Sequence, residues 1–335
     1  MRILGAAILA LFASAAQAQV LELKVSHFVP PTHGFHVDVL DPWLKELEKR
    51  TGGKVQGRLF AGNSPFGKTE NQADQVKQGV VDVAWGLNGI PRGRFLRTSI
   101  MEMPFVAESA DSASKALWAM LPTTLAEDYR GFKVLAVHCH NPGLFHTRTK
   151  DLKSIDDIKG LRMRAPNYAT QKLLEHLGAA PVGMPPTQVY ENLEKGVIDG
   201  AVFPWDAIKG FRLEGQLKHH LDARVYTACF HVLMNEQRYA ALPADVKKAV
   251  DDTTGATMVN RFGELWARWD QAGLDAVKPR GNVIVSVGNE QREKWRAQLQ
   301  PVTDGLLAEL EKGGVANPKA IYEEMRQKVT ALAKK

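Results

Sequence analysis

Short apolar runs alternate along the chain with amphipathic segments, and this pattern predicts a succession of strands and helices. Residues 21–28 (LELKVSHF) predict a first strand, and residues 54–60 predict a second. Asp41-Pro42 predicts the start of a helix between them, with Asp as the N-cap and Pro at the first helical position. Thr51-Gly52-Gly53 predicts the end of that helix. Its apolar face consists of Val39, Trp43, Leu44 and Leu47.

The alternation continues through the middle of the chain, and after residue 240 the pattern becomes helical. The stretch from Asp245 to about Lys278 contains no proline and predicts one long helix. A further helix is predicted over 290–312, and Asn317-Pro318 opens a last one. Strands that alternate with helices predict an α/β fold of parallel sheets with helices on both faces. The other predicted strands are 132–138, 161–165, a short one near Val182, 197–203 and 224–234, with helices at 167–177 and 187–195.

Two segments resemble each other and predict two lobes of related build. Residues 76–85 (VKQGVVDVAW) and 193–202 (LEKGVIDGAV) each contain a helix end, a glycine, two β-branched residues, an aspartate and further apolar residues. The glycines stand where a helix C-cap is expected. We expect Asp82 and Asp199 to form local hydrogen bonds rather than an acid/base pair. The long β runs near 139 and 229 must then carry the chain between the lobes.

The N-terminal residues have the pattern of a secretory signal peptide. Arg2 precedes an apolar stretch, Ile3–Ala13, and Ala16-Gln17-Ala18 fits the small-x-small cleavage pattern. The apolar stretch is shorter than the ~18 residues that a membrane-spanning helix needs. We therefore expect cleavage after Ala18 and export of the mature protein to the periplasm.

Charge and cysteine content narrow the class of protein. The formal charge falls from +6 to +5 when Arg2 is removed, and the densest basic stretch, residues 92–97, is broken by apolar residues, which disfavours nucleic-acid binding. Two cysteines, Cys139 and Cys229, are too few for a disulfide scaffold. An exported protein permits one bridge between them, but two buried thiols are the favoured interpretation.

One predicted strand carries arginines toward its end. In residues 158–170 (IKGLRMRAPNYAT), Leu161, Met163 and Ala165 alternate with Arg162 and Arg164, and a proline then stops the run. A guanidinium at a strand end lies either in solvent or against an anion. Most arginines are exposed, so the residues alone favour a surface position or an internal ion pair, which is our interpretation of Arg162.

The histidine-rich stretch 138–147 (HCHNPGLFHT) suggests a metal site. His138 and His140 would point to the same side of a strand. Zinc requires three or four convergent ligands, and the sequence has neither H-E-x-x-H nor paired C-x-x-C. A strand that enters a loop is therefore the better interpretation, and His219-His220 is predicted to be an exposed loop. Catalytic motifs such as G-x-S-x-G are absent from the sequence.

Five motifs, in this order and spacing, resemble the extracytoplasmic solute-binding proteins of TRAP transporters, the DctP-type family. They are GNSPFGKTENQADQVKQGVVDVA (62–84), GRFLRTSIMEMPF (93–105), DDIKGLRMRAPN (156–167), LGAAPVGMPPTQVYENLEKGVIDGA (177–201) and MNEQRYAALPADVKKAV (234–250). The resemblance implies a fold like that of type II periplasmic binding proteins, with two α/β lobes joined by hinge strands and a long helix. We expect residues 19–139 plus 229–268 to form lobe I and residues 140–228 plus 269–335 to form lobe II.

The resemblance also implies a function. Such a protein captures an organic acid between its lobes, needs no cofactor, and delivers the ligand to the membrane subunits of a TRAP transporter; we expect it to be a monomer. In that family the arginine of the K-G-x-x-x-R-x-P stretch, here Arg164, pairs with the ligand carboxylate. A guanidinium is planar and permanently charged, which suits this role.

The other expected pocket residues suggest which acid is bound. Apolar and aromatic residues stand where relatives that bind sugar acids have polar ones, which favours an aromatic or hydrophobic organic acid. Polar candidates for a hydrogen bond to the ligand are Asn141 and His146, with His27 ranked lower. The apolar candidates are Phe28, Trp85, Leu87, Phe203 and Trp205.

Two alternatives stay open at this point. A C4-dicarboxylate or another polar carboxylate would need a second cation, for which Arg148 and Arg92 are conceivable. A secreted metal-assisted hydrolase would use the histidine-rich stretch as its metal site.

Overall fold

The computed structural model describes residues 20–333, and the predicted signal peptide lies outside this range. Two mixed β-sheets form the centres of two lobes. The strands are β1 (Leu21–His27), β2 (Val55–Phe60), β3 (Val83–Leu87), β4 (Phe132–Cys139), β5 (Gly143–Thr147), β6 (Arg162–Ala165), β7 (Ala180–Gly183), β8 (Gly200–Phe203), β9 (His219–Tyr226), β10 (Cys229–Asn235) and β11 (Val283–Ser286).

The first sheet has the strand order β2-β1-β3-β10-β4, and the second has β11-β9-β5-β8-β6-β7. In each sheet one strand runs against the others: β10 in the first and β5 in the second. The prediction of parallel sheets was therefore wrong. The chain leaves β4 at the carboxyl edge of the first sheet and enters the second sheet at its carboxyl edge, so β5 must run in reverse. The passage from β9 to β10 imposes the same reversal on β10.

The internal repeat is confirmed by matching hydrogen bonds in the two sheets. Asp82 Oδ2 accepts from the backbone N–H of Lys24 at 2.7 Å, and the N–H of Asp82 donates to the Lys24 carbonyl. Asp199 Oδ2 accepts from the N–H of Arg162 at 2.8 Å, and its own N–H donates to the Arg162 carbonyl. Each aspartate thus fastens the start of its own strand to a parallel neighbour.

Helices cover the sheets, and two predicted helix boundaries were wrong. Helical backbone begins at Phe35 as a π-helical turn (Phe35–Leu40) that continues into α1, so Asp41 is not an N-cap. The predicted helix over 245–278 is broken, because Thr254 is extended and Gly255 has φ +62° and donates its N–H to the Leu135 carbonyl. The α-helices are α1 (Asp41–Arg50), α2 (Gln72–Lys77), α3 (Ala110–Met120), α4 (Tyr168–His176), α5 (Val189–Glu194), α6 (Trp205–Gly210), α7 (Glu236–Ala240), α8 (Ala244–Thr253), α9 (Ala256–Val259), α10 (Phe262–Val277), α11 (Asn289–Lys312) and α12 (Pro318–Ala333).

The two cysteines form a disulfide, which corrects the expectation of two buried thiols. Cys139 ends β4 and Cys229 begins β10, and the two are register partners in the sheet. Sequence alone gives no register, so it could not bring together two residues that are 90 positions apart. The bridge lies where both hinge strands leave the first sheet.

The histidine pair His219-His220 is not an exposed loop. It begins β9, and His220 is buried in the second sheet, where β9 lies between β5 and the edge strand β11. The preceding apolar residue, Leu217, is buried as well, so the strand continues a core segment rather than a surface turn.

Helix packing, in addition to the hinge strands, connects the two lobes. Helix α10 packs against α3 on one side and α6 on the other, and α12 packs against α3. The division of lobes at residues 139, 229 and 268 stays a prediction. Within residues 20–333, no helix is both long and apolar enough to cross a membrane.

Candidate functional site

A cavity lies between the carboxyl edges of the two sheets. Strand ends and the loops that follow them supply its walls from both lobes, as expected for open α/β sheets. Most lining residues are apolar, and five carry polar or charged groups. The lining residues are Phe28, Val29, His33, Trp85, Leu87, His140, Arg164, Pro166, Pro186, Phe203, Pro204, Asp206, Ala207, Phe211, Tyr226, Ala228, Phe230 and Trp266.

Arg164 is the buried cation of this cavity, with 1% of its surface exposed. Its Nε donates to the Met184 carbonyl at 3.2 Å and its Nη1 donates to the Val202 carbonyl at 3.1 Å. The guanidinium lies 4.2 Å from the centroid of the Phe203 ring. Burial lowers the pKa of Arg164 to about 10, so the group is still charged at neutral pH. Among residues 20–333, no carboxylate lies within ion-pair distance of it.

Position along β6 explains why two arginines on one strand differ. Arg162 and Arg164 share a face, since they are two residues apart. Arg162 begins the strand, is exposed, and forms an ion pair with Asp199 at 2.6 Å, as predicted. Arg164 lies at the carboxyl edge, where the other lobe covers it. The ion-pair interpretation therefore holds for Arg162 and fails for Arg164.

Trp85 is the central aromatic residue of the wall that the first lobe supplies. Its ring is nearly parallel to that of Phe28 at 4.8 Å and to that of Phe230 at 5.2 Å. The indole Nε1 lies 3.0 Å from Nε2 of His138, which holds the ring in place from behind. A preformed stack of this kind offers a flat apolar surface to a ligand ring at low conformational cost.

Four further polar side chains complete the lining. His140 is neutral: its Nδ1 donates to the Asn141 carbonyl, its Nε2 accepts from the N–H of Ala228, and burial lowers its pKa to about 4. His33 and Asp206 contact each other across the cavity. Tyr226 is buried, and its hydroxyl has no hydrogen-bond partner among the described residues.

Four of the residues predicted for the site do not line this cavity. The side chain of Asn141 is fully used, because it accepts from the N–H of Ala110 and donates to Asp270. His27 Nε2 lies 2.8 Å from His36 Nδ1, behind the wall. Trp205 packs its ring against His146, also behind the wall. The residues that do line the cavity are Phe28, Trp85, Leu87, Arg164 and Phe203.

His146, the fourth of these residues, belongs to a hydrogen-bond chain behind Phe203. His146 Nε2 donates to the Phe203 carbonyl at 3.1 Å, and its Nδ1 lies 2.6 Å from Nδ1 of His220. His220 Nε2 in turn accepts from Asn282 Nδ2 at 3.0 Å. These hydrogen bonds can form together only when both rings are neutral and the proton between them is on Nδ1 of His220. His146 therefore positions a wall residue and has no N–H left for a ligand.

Several lining residues were not predicted from the sequence, notably Phe211, Tyr226, Phe230 and Trp266. Phe211 directly follows α6, and the other three lie in β9, β10 and α10, so only the tertiary fold brings them to one place. A signal existed for Tyr226 and Phe230, because both flank the predicted crossing near residue 229.

The structure bears on both alternatives. Arg92 lies over the ring of Tyr168 near Glu309, and Arg148 lies beside Gly196; neither lines the cavity. A second carboxylate in the cavity would therefore meet no second arginine. Among residues 20–333, no group of three or more His, Cys, Asp or Glu side chains could hold a metal ion, and the rings of the histidine-rich stretch bond to other protein groups.

A family comparison agrees with this geometry. The family model DctP, described as bacterial extracellular solute-binding protein, family 7, matches residues 25–310. The match includes both sheets except for the first residues of β1, and it includes Arg164 and the other cavity residues named above.

Two solved structures are similar over nearly the whole chain. One is a TRAP solute-binding protein from Rhodoferax ferrireducens in complex with copurified benzoate; it is 29% identical, covers 94% of this chain and 99% of its own, and has a TM-score of 0.90. Another is a marine metagenome TRAP solute-binding protein specific for aromatic acid ligands, in complex with 3-hydroxybenzoate. It is 31% identical, covers 94% of this chain and 99% of its own, and has a TM-score of 0.87.

A third relative has a different ligand. The C4-dicarboxylate-binding periplasmic protein DctP of Rhodobacter capsulatus is 25% identical over 96% of this chain and 97% of its own length. Overall similarity therefore includes binders of more than one acid, and the cavity residues must decide between them.

Proposed function

Since this chain belongs to the DctP family of bacterial extracellular solute-binding proteins, family 7, we propose that it captures an aromatic monocarboxylate between its lobes and delivers it to the membrane subunits of a TRAP transporter. The family consists of periplasmic solute-binding proteins. The sequence motifs of this chain imply that its ligand is an organic acid.

The observation that carries this proposal is the buried, unpaired guanidinium of Arg164. A charge taken out of water is costly unless an opposite charge and hydrogen bonds compensate for it. Two backbone carbonyls accept from Arg164, and these are dipoles rather than charges. A ligand carboxylate would supply the missing anion and could bind through two parallel N–H groups.

The walls favour an aromatic body behind that carboxylate. Trp85, Phe28, Phe203 and Phe230 line the same cavity as Arg164. Aromatic side chains stack well on the flat face of another ring, so these walls favour a ligand that carries one. The similar structures that hold benzoate and 3-hydroxybenzoate support this choice.

The charge of the cavity disfavours a dicarboxylate. Asp206 contributes a carboxylate to the lining, and the two cations that a second ligand carboxylate could use, Arg92 and Arg148, lie elsewhere. Like charges within one site repel each other. A sugar acid would also leave several hydroxyl groups against apolar walls, where each lost hydrogen bond is costly.

The remaining parts of the proposal concern location and assembly. We place cleavage of the signal peptide after Ala18, so that the mature protein begins at Gln19 and works in the periplasm as a monomer. The ligand stabilises the closed arrangement, because only there do both lobes contact it. The closed protein then docks on the membrane subunits.

Isothermal titration calorimetry with a small panel tests the proposal. We expect benzoate and 3-hydroxybenzoate to bind, with a melting temperature that rises with ligand concentration. Benzamide tests the need for charge, cyclohexanecarboxylate the need for an aromatic ring, and succinate and galacturonate test the competing ligand classes. Tighter binding of succinate or galacturonate than of every aromatic acid would contradict the proposal.

A further inference from the structure

Tyr226 combines three properties in one side chain of the cavity. It is the last residue of β9, it lines the same cavity as Arg164, and only 2% of its surface is exposed. Its hydroxyl is buried and has no hydrogen-bond partner among residues 20–333. Buried hydroxyl groups are nearly always hydrogen-bonded, so an unpaired one on a residue that lines a cavity points to a ligand.

The local fold fixes the position of this ring. Gly143 on β5 stands opposite Tyr226 in the sheet, and a Cβ added at Gly143 would lie 2.2 Å from Cε1 of the tyrosine. The ring of His140 meets the Tyr226 ring edge to face, with 5.2 Å between centroids. The missing side chain at Gly143 therefore makes the space that Tyr226 occupies, and the hydroxyl is held in one place.

The hydroxyl is protonated and can donate. Burial raises the pKa of Tyr226, and the positive charge of Arg164 only partly opposes this effect. Tyr226 and Arg164 line the same cavity. Arg164 directs two N–H groups to backbone carbonyls, and its other N–H groups are available to an anion in that cavity.

We infer that the Tyr226 hydroxyl donates a hydrogen bond to one oxygen of the ligand carboxylate that Arg164 binds, so that the two residues form one carboxylate site. This inference rests on the proposed function and adds a residue that determines specificity. Both protein groups are donors. A carboxylate satisfies them with lone pairs alone, whereas an amide of the same shape would direct its own N–H groups against a donor.

The test compares the affinity of wild type and Tyr226→Phe for benzoate by calorimetry. Because a hydrogen bond to a charged group is involved, we expect the substitution to weaken binding by roughly 10- to 100-fold. Tyr129→Phe is the matched control. That tyrosine is also buried, but its hydroxyl accepts from Asn88 and Thr98 away from the cavity, so its loss should leave the affinity for benzoate unchanged.

A spectroscopic measurement separates direct contact from a structural role. In infrared difference spectra of benzoate with a 13C-labelled carboxylate, loss of the hydroxyl should shift the carboxylate stretching bands of the bound ligand, and Tyr129→Phe should not. Unchanged bands together with an affinity within about twofold of wild type would overturn the inference while the proposed function stands. A wild-type protein that binds no aromatic acid would overturn both.

Discussion

Nε2 of His33 lies 3.1 Å from Oδ2 of Asp206, and this contact joins the two lobes across the cavity. His33 follows β1 of the first sheet, and Asp206 follows β8 of the second. His33 Nδ1 accepts from the N–H of Phe35, so Nε2 carries the proton and donates to the carboxylate. Both side chains are almost fully buried. Separation of the two lobes at the cavity would therefore break this contact.

Removing this contact should speed the release of ligand. In Asp206→Ala the donor of His33 is left without its carboxylate in the closed form, and we expect dissociation of benzoate to accelerate by roughly tenfold. Stopped-flow fluorescence measures this rate, since Trp85 and Trp266 line the cavity. Asp41→Ala is the control, because that aspartate pairs with Lys45 within one exposed helix. An unchanged dissociation rate would mean that the pair does not hold the lobes together.

The disulfide should contribute strongly to stability. Cys139 and Cys229 close a long loop at the hinge, and a cross-link of this separation removes entropy from the unfolded chain worth roughly 2–5 kcal/mol. We expect the double variant Cys139→Ser and Cys229→Ser to unfold at lower urea concentration than wild type. Added reductant should lower the midpoint of wild type and leave that of the variant unchanged. Equal urea midpoints for the variant and for wild type without reductant would contradict this account of the disulfide.

Glu102 should make the protein lose stability as the pH rises from about 4.5 to about 8. It is buried beside the hinge, accepts from the N–H of Cys229 at 2.9 Å, and burial raises its pKa from the ordinary 4.5 to about 8. The folded state binds the proton more tightly, so its stabilising effect is complete below about pH 4.5 and is lost as the pH rises to 8. Glu102→Gln keeps a neutral acceptor. As the pH rises across this window, the free energy of unfolding of Glu102→Gln should increase relative to that of wild type by up to ~1.4 kcal/mol per pH unit. If urea titrations gave the same pH dependence of unfolding free energy for wild type and Glu102→Gln, the carboxyl of Glu102 would not be protonated in the folded protein.

The hydrogen-bonded series of side chains His146, His220 and Asn282 should make the protein less stable in acid. Burial lowers the pKa of His146 to about 4 and that of His220 to about 2, and the closeness of the two rings adds to the effect for His220. The unfolded chain takes up these protons near pH 6.5 while the folded one does not, so stability falls as the pH falls below 6.5. His220→Gln should therefore lose less stability than wild type between pH 7 and pH 5. Urea titrations at the two pH values measure this difference, with the exposed His176→Gln as the control. Equal losses for both variants and wild type would contradict the neutral network.

Periodicity predicted most strands and helices, because burial of one face leaves a regular trace in the sequence. It could not predict mixed sheets, since the direction of β5 and β10 follows from how the chain passes between lobes. It also missed the break before α9, where a tertiary hydrogen bond from Gly255 to Leu135 stabilises an extended residue inside a helical pattern.

Five of the predicted site residues line the cavity: Arg164 and the apolar residues Phe28, Trp85, Leu87 and Phe203. Arg164 could be found because a strand, a proline and a family motif fix its position. His146 has equally suitable chemistry, yet its N–H bonds to the Phe203 carbonyl, and no local pattern predicts that. Tyr226 escaped prediction because its role depends on a glycine opposite it in the sheet and on an arginine 62 positions before it.

The central claim is that Arg164 binds the carboxylate of the ligand, and the affinity of Arg164→Ala for benzoate tests it most directly. Loss of a buried, hydrogen-bonded charge contact of this kind is worth ~2–5 kcal/mol, or roughly 30- to 4,000-fold in affinity. Arg162→Ala, on the same strand and face, removes an exposed ion pair and serves as the matched control. The account predicts that only the substitution at Arg164 abolishes or severely weakens binding. Equal affinities of wild type and Arg164→Ala for benzoate would contradict it.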